Sequence, residues 1–234
     1  MMIRTQCIAL ILACSSLFIL PQTTFAQEQP TAEQLKLRKN KVIYKAYIPA
    51  TYHLFEAIEG DLNKDGLKDV VLIVKATDPK AVVDDEYRGR LDRNRRGMIV
   101  LLNEKGKYKP IVRHLDCFSS ENEDGGVYFA PELWLEIKNN VLDVHYAHGR
   151  YGDWRYLFSL EGNDLRLIGY DESNNHGPYI ESKTSINFLT GKKVIRKNLS
   201  ADEEADPKFK ETWSSFSQAP IYLSKIKDLS DLSF

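Results

Sequence analysis

The sequence predicts a mainly β fold built on an antiparallel meander, and three observations predict it. Apolar residues come in short runs rich in β-branched and large side chains, such as VVLIV at 70–74, MIVLL at 98–102, YKPIVRHL at 108–115 and LWLEI at 133–137, which is strand length and strand composition. The runs are separated by turn sequences: EKGK at 104–107, KNN at 138–140, EGND at 161–164 and LTGKK at 189–193. The chain also lacks a glycine-rich phosphate loop, a β-α-β alternation and a long amphipathic helix. A sandwich, an open barrel and a propeller-like array of sheets all satisfy this pattern.

The first element is a targeting segment. Arg4, an apolar run from Cys7 to Leu20, Pro21 as a breaker and small Ala26 ahead of QEQP read as a secretory signal peptide over 1–26. The apolar core is shorter than the roughly 18 to 20 residues that a bilayer span needs. A rival reading ends a lipobox at Ala13-Cys14 and would leave the processed chain tethered through a lipidated Cys14. Residues 27–40 form a polar leader with a short helix over Ala32 to Arg38, for which Thr31 is a candidate cap. Residues 41–234 are then a single β-rich domain, long enough to bury a core of its own.

Two hairpins carry the strongest prediction. In ELWLEIKNNVLDVHY, Leu133, Leu135 and Ile137 share one face, while Val141, Asp143 and His145 oppose Leu142, Val144 and Tyr146. This is an antiparallel pair with one face wet. WRYLFSLEGNDLRLIGYD repeats the pattern, and SINFLTGKKVI adds a hairpin whose Gly191 is free to adopt a positive φ.

Between two strands lies FEAIEGDLNKDGLKD, running from Phe55 to Asp69. Asp61, Asn63 and Asp65 alternate, so their side-chain oxygens surround one point when the chain curls. Gly66 permits the sharp turn, the Leu67 carbonyl can point inward, and Asp69 closes the ring. Hard oxygen donors at odd positions suit Ca²⁺. An EF-hand would place a bidentate Glu where this chain has Leu72, so the loop is not an EF-hand. The competing reading is a polar turn whose Asp and Asn side chains satisfy backbone amides. Over Gly60 to Asp69 the residues resemble the FG-GAP or VCBS-type GDLNxDGxxD loop of secreted bacterial proteins. That resemblance implies Ca²⁺ as cofactor with Asp61, Asn63, Asp65, the Leu67 carbonyl and Asp69 as ligands. A single copy speaks against a full propeller. The segment from Gly125 to Asp171, with Gly125-Gly126, the step from Gly149 to Trp154 and LIGYD at 167–171, further resembles uncharacterised exported bacterial proteins.

Other chemistry is less patterned. His145, Tyr146, His148, Tyr151 and Trp154 crowd one turn region with Arg150 and Asp153, and form the candidate ligand surface. The bland alternative is that these aromatics plug the core. His145 and His148 read poorly as zinc ligands, because strand positions three apart face opposite sides. Glu121, Glu123 and Asp124 offer a second cation loop or a distant carboxylate for the first, unless they form a solvated loop. ADEEAD at 201–206 reads as an exposed loop. Cys117 is the one cysteine beyond the signal segment, so no internal disulfide is expected and a buried core residue is. No catalytic residue stands out, as no serine sits in a GxSxG elbow.

A net charge of −1 without a long basic block argues against a nucleic-acid partner. No later segment is apolar and long enough for a transmembrane span. The sequence therefore predicts an exported, calcium-binding β protein of the periplasm or cell surface that binds a protein or glycan partner. An envelope-polymer hydrolase or lyase is the alternative, and an inhibitor or partner of a secreted protein shares the same features.

Overall fold

The computed structural model describes residues 29–123, 130–200, 206–230 and 232–234. The signal segment with Cys14, the Gly125-Gly126 turn, Asp124 and residues 201–205 of the acidic run lie outside the described residues.

A helix, α1 (Ala32–Ile43), opens the fold. It outruns the short helix expected from sequence, because Leu37 and Tyr44 pack onto a sheet and the Tyr44 amide donates to the Asn40 carbonyl at 2.9 Å. The helix, from Ala32 onward, is thus docked onto the strands. These follow as β1 (Tyr52–Gly60), β2 (Asp69–Ala76), β3 (Val82–Asp85), β4 (Gly89–Asp92), β5 (Arg96–Glu104) and β6 (Lys107–Phe118). Strands β1-β2-β5-β6 form a four-stranded antiparallel sheet, and β3 pairs with β4 in a small ribbon.

The remaining strands are β7 (Glu132–Lys138), β8 (Val141–Ala147), β9 (Gly152–Glu161), β10 (Asp164–His176), β11 (Tyr179–Asn187), β12 (Lys192–Asn198) and β13 (Phe209–Ser215). They form a seven-stranded meander in which each strand pairs with its sequence neighbour. Its turns obey local backbone chemistry. Asn139 and Asn140 both take positive φ, 52° and 63°, as a two-residue hairpin of primed type requires, and Gly191 takes φ 61° as expected.

The two larger sheets pack face to face, which selects the sandwich among the expected architectures. Val71, Ile73, Met98, Val100 and Phe118 of one sheet share a core cluster with Leu142, Val144, Tyr146, Tyr156, Phe158, Leu167 and Tyr170 of the other. Alternation explains the wet face of the meander. β2 and β5 break it: Val70, Leu72, Val74, Ile99 and Leu101 belong to a second cluster, on the α1 side of their sheet. The helix makes both faces of these strands internal, which is why VVLIV is apolar without interruption. Each of its five side chains is at most 1% exposed, and burial of each contributes about 1.5 to 3 kcal/mol against chain entropy.

The C-terminal segment stitches the layers together. Leu223, Ile226 and Leu229 are buried in the sandwich core. The Leu229 amide donates to the Cys117 carbonyl at 3.0 Å, and the Tyr156 hydroxyl donates to the Leu232 carbonyl at 3.2 Å, so one segment holds β6 and β9. Phe234 meets the rings of Tyr170, Phe188 and Phe216. Asp228 anchors the segment by accepting from Arg95, and Ser230 within the segment donates to the same carboxylate.

Burial alone would raise the Asp228 carboxyl, but the bonds from Ser230 and the Arg95 guanidinium outweigh it and hold it below the usual carboxylate value. A carboxylate depressed in the folded state stabilises fully above its unfolded pKa of about 4, and that contribution disappears as pH falls through the lower native value. Asp228→Asn is therefore expected to flatten the acid limb of the stability–pH curve below about pH 4. Denaturation midpoints of both proteins across that range check this; parallel acid limbs would refute it.

Candidate functional site

The Asp61–Asp69 loop joins β1 to β2 at the end of the sheet where β1 runs beside β7. Its curl is dictated by its own side chains. Asp61 accepts the Lys64 amide through Oδ1 at 2.7 Å and the Gly66 amide through Oδ2 at 3.0 Å. Asn63 Oδ1 accepts the Asp65 amide at 3.1 Å, and Asp65 Oδ1 accepts the Leu67 amide at 2.8 Å. The Asn63 amide group donates to Asp65 Oδ2 at 2.9 Å, bringing those two side chains together. Gly66 sits at φ 82°, and with no Cβ it turns the chain there without strain.

Asp69 behaves differently from the other acidic residues of the loop. It is fully buried, and its Oδ2 accepts the Leu62 amide while Oδ1 accepts the Asn103 amide, both at 2.8 Å. It clasps the two ends of the loop and ties them to β5. Asn103 also donates to the Lys68 carbonyl at 3.1 Å, and Asn140, in the β7–β8 turn, donates to the Asp61 carbonyl at 2.8 Å. A cleft of about 490 Å³ opens beside the loop, lined by Asp65, Leu67, Asn103, Glu104 and Lys105. Asn103 and Glu104, from the β5–β6 hairpin, and Asn140, from the β7–β8 hairpin, escape a reading of the loop alone, because only folding delivers them.

The donor set suits a hard cation in its chemistry, which is that of carboxylate, amide and carbonyl oxygens. The oxygens of Asp61 and Asp65 each accept one hydrogen bond, and a carboxylate oxygen has lone-pair capacity for a further partner. Asp61 and Asp65 therefore keep acceptor capacity toward a hard cation, with Asn63 bonded to Asp65 between them and Glu104 at the rim of the adjoining cleft. Asp69 fits less well as a direct ligand, since both its oxygens face inward onto amides. Among the described residues, no group of three or more His, Cys, Asp or Glu side chains is gathered closely enough to hold a metal by itself. Amide and carbonyl oxygens are therefore needed to complete any such site.

Glu121 and Glu123 do not serve this loop. Glu121 pairs with Lys75 Nζ at 2.5 Å, beside Asp92 at 3.1 Å from the same ammonium. Lys75 lies six residues beyond Asp69 along β2, about 20 Å away at strand rise, so Glu121 stands at the opposite end of the strand. Glu123 accepts the Ser120 amide at 3.1 Å. These carboxylates neutralise a buried lysine and fold their own turn.

The aromatic turn is not one surface. Tyr146 and Trp154 are direct cross-strand partners on the inner face, with rings stacked at 5.2 Å and Tyr146 only 1% exposed. They plug the core. The signal lay in the sequence, since Tyr146 shares the parity of Leu142 and Val144. His145 points outward, 3.9 Å from the Trp134 ring and 3.6 Å from Asp153. His148 and Tyr151 meet at 5.1 Å around the short 3-10 turn Gly149–Tyr151.

No protein-family model matches the chain, and neither a curated protein nor a solved structure matches it. Cys117 is buried and free, and burial pushes its thiol well above the usual range, which makes it a poor nucleophile. No helix among the described residues is long and apolar enough to cross a membrane.

Proposed function

We propose that the chain is an exported calcium-binding β protein that works as a non-catalytic binding or interaction module in the periplasm or at the cell surface. The observation that carries this reading is the loop from Asp61 to Asp69, whose alternating oxygen donors are already curled over one turn by their own backbone amides. Preorganisation of this kind lowers the ordering cost of binding an ion. The FG-GAP or VCBS-type resemblance over Gly60 to Asp69 supports the choice of Ca²⁺, and the signal-like segment over 1–26 supports export. The ion's role is structural: it would brace the junction where the β5–β6 and β7–β8 turns meet the loop through Asn103 and Asn140.

Thermal unfolding in chelator and in about 10 mM Ca²⁺ tests the reading. For a dissociation constant of about 10⁻⁴ to 10⁻³ M, typical of extracellular modules, linkage gives about 1.5 to 3 kcal/mol of added stability. That corresponds to a rise in Tm of about 3 to 10 °C for a chain of this size. Asp65→Ala removes an exposed donor and should abolish the rise while leaving the chelator Tm within a few degrees. If calcium shifts neither protein, the loop is a polar turn and the calcium reading fails.

A further inference from the structure

The outer face of the seven-stranded sheet, opposite the core, is an organised surface that the calcium loop does not use. Its register aligns a single cross-strand row: Trp134, His145, Arg155, Asp171, Ser185, Val194 and Trp213 are direct partners in turn from β7 to β13. The row places a half-exposed indole at each end, Trp134 at 44% and Trp213 at 59% exposure, with Val194 buried beside the second. Six interstrand spacings separate the end strands, at most about 29 Å along the sheet. Between them lies a depression of about 270 Å³, whose lining includes Asp153, Arg155, Asp171, Lys183, Ser185 and Arg196.

The electrostatics of this face select its occupant. Arg155 is held by Asp143, Arg196 pairs with Glu211 at 2.8 Å, and Asp153 faces His145 at 3.6 Å. The depression is lined by three carboxylates, Asp153, Asp171 and Glu172, and three cations, Arg155, Lys183 and Arg196, so it carries no net charge, and a polyanion would have to displace the resident carboxylates from Arg155 and Arg196. What remains available is a dense set of planar donors and acceptors flanked by indole faces. A neutral chain bearing many hydroxyls satisfies such groups without bringing charge, while its apolar ring faces stack on tryptophan. A protein partner of ordinary kind would meet a face with no apolar centre, since the exposed tryptophans stand at opposite edges.

We propose that this face binds a neutral glycan chain, laid across the strands along the row from Trp134 to Trp213. The inference rests on the reading of the chain as a binding module and names the partner class.

Isothermal titration of the chain with three neutral hexasaccharides tests it: β-1,4-linked glucose, β-1,4-linked N-acetylglucosamine and α-1,4-linked glucose, with polygalacturonate as the anionic probe. At least one neutral hexamer is expected to bind. Asp171→Ala and Trp213→Ala, both at exposed or half-exposed positions, should each weaken that binding about tenfold or more, with unchanged circular dichroism, and Asp65→Ala should leave it unaltered. Silence from all three hexamers, binding of polygalacturonate alone, or affinity indifferent to both substitutions overturns the inference. Hexamer binding with release of new reducing ends would keep the glycan surface and overturn the non-catalytic reading. Hexamer binding without any calcium shift in Tm would keep it and remove the calcium reading alone.

Discussion

Asp69→Ala is expected to destabilise the chain by about 3 to 5 kcal/mol, in chelator as well as in calcium. Its carboxylate is fully buried and accepts two backbone amides, from Leu62 and Asn103. Alanine leaves both donors without a partner, and an unsatisfied buried donor costs about 1 to 3 kcal/mol each. Asp69→Asn keeps one acceptor oxygen and should fall between the wild type and alanine. Urea unfolding with excess chelator measures this directly. A loss that appears only in calcium would identify Asp69 as an ion ligand and contradict its role as a clasp. The contrast with Asp65→Ala separates two functions that the sequence pattern presents as one.

The second large effect is expected at Gly97, in the first half of β5. A Cβ built there would lie 2.2 Å from the Leu115 carbonyl carbon and 2.3 Å from its Cα. Both are backbone atoms, so no rotamer change relieves the overlap. The pairing of β5 with β6 shifts register between Arg96 and Met98, and at that irregularity the two backbones approach closely enough to exclude any side chain. Gly97→Ala must therefore push β5 and β6 away from each other beside a core that includes Met98 and Ile99, both wholly buried. A cost of about 3 kcal/mol follows from overpacking of this kind, seen as a lower urea midpoint with an unchanged slope. A midpoint within experimental error of the wild type would show that β6 yields freely at Leu115.

What the chain discloses without its fold follows the range of the interactions involved. The β7–β8 hairpin is legible because alternation sorts Leu142 and Val144 from Asp143 and His145, and because Asn139-Asn140 encodes its own turn. The curl of the Asp61–Asp69 loop is legible for the same reason: its bonds span two to five residues. Illegible regions involve partners far apart in sequence. Asn103 reaches Asp69 across 34 positions, and Asn140 reaches Asp61 across 79. Local pattern therefore makes Asp69 a ring-closing ligand, whereas the fold gives its oxygens to amides.

By itself, the sequence determined the strands on either side of the loop and those from β5 to β12, several of their turns, the wet face of the meander and the chemical character of the loop, but not β3, β4 or β13. These depend on side-chain alternation and on backbone preferences that a few neighbouring residues settle. Only the tertiary structure decided that the meander closes on a second sheet as a sandwich, and that α1 buries the other face of β2. It also stacked Tyr146 on Trp154 in the core and set His145 against Trp134 and Asp153 on the outer face. It alone aligned Trp134 with Trp213, because register across seven strands accumulates through six pairings and no segment of the chain contains it.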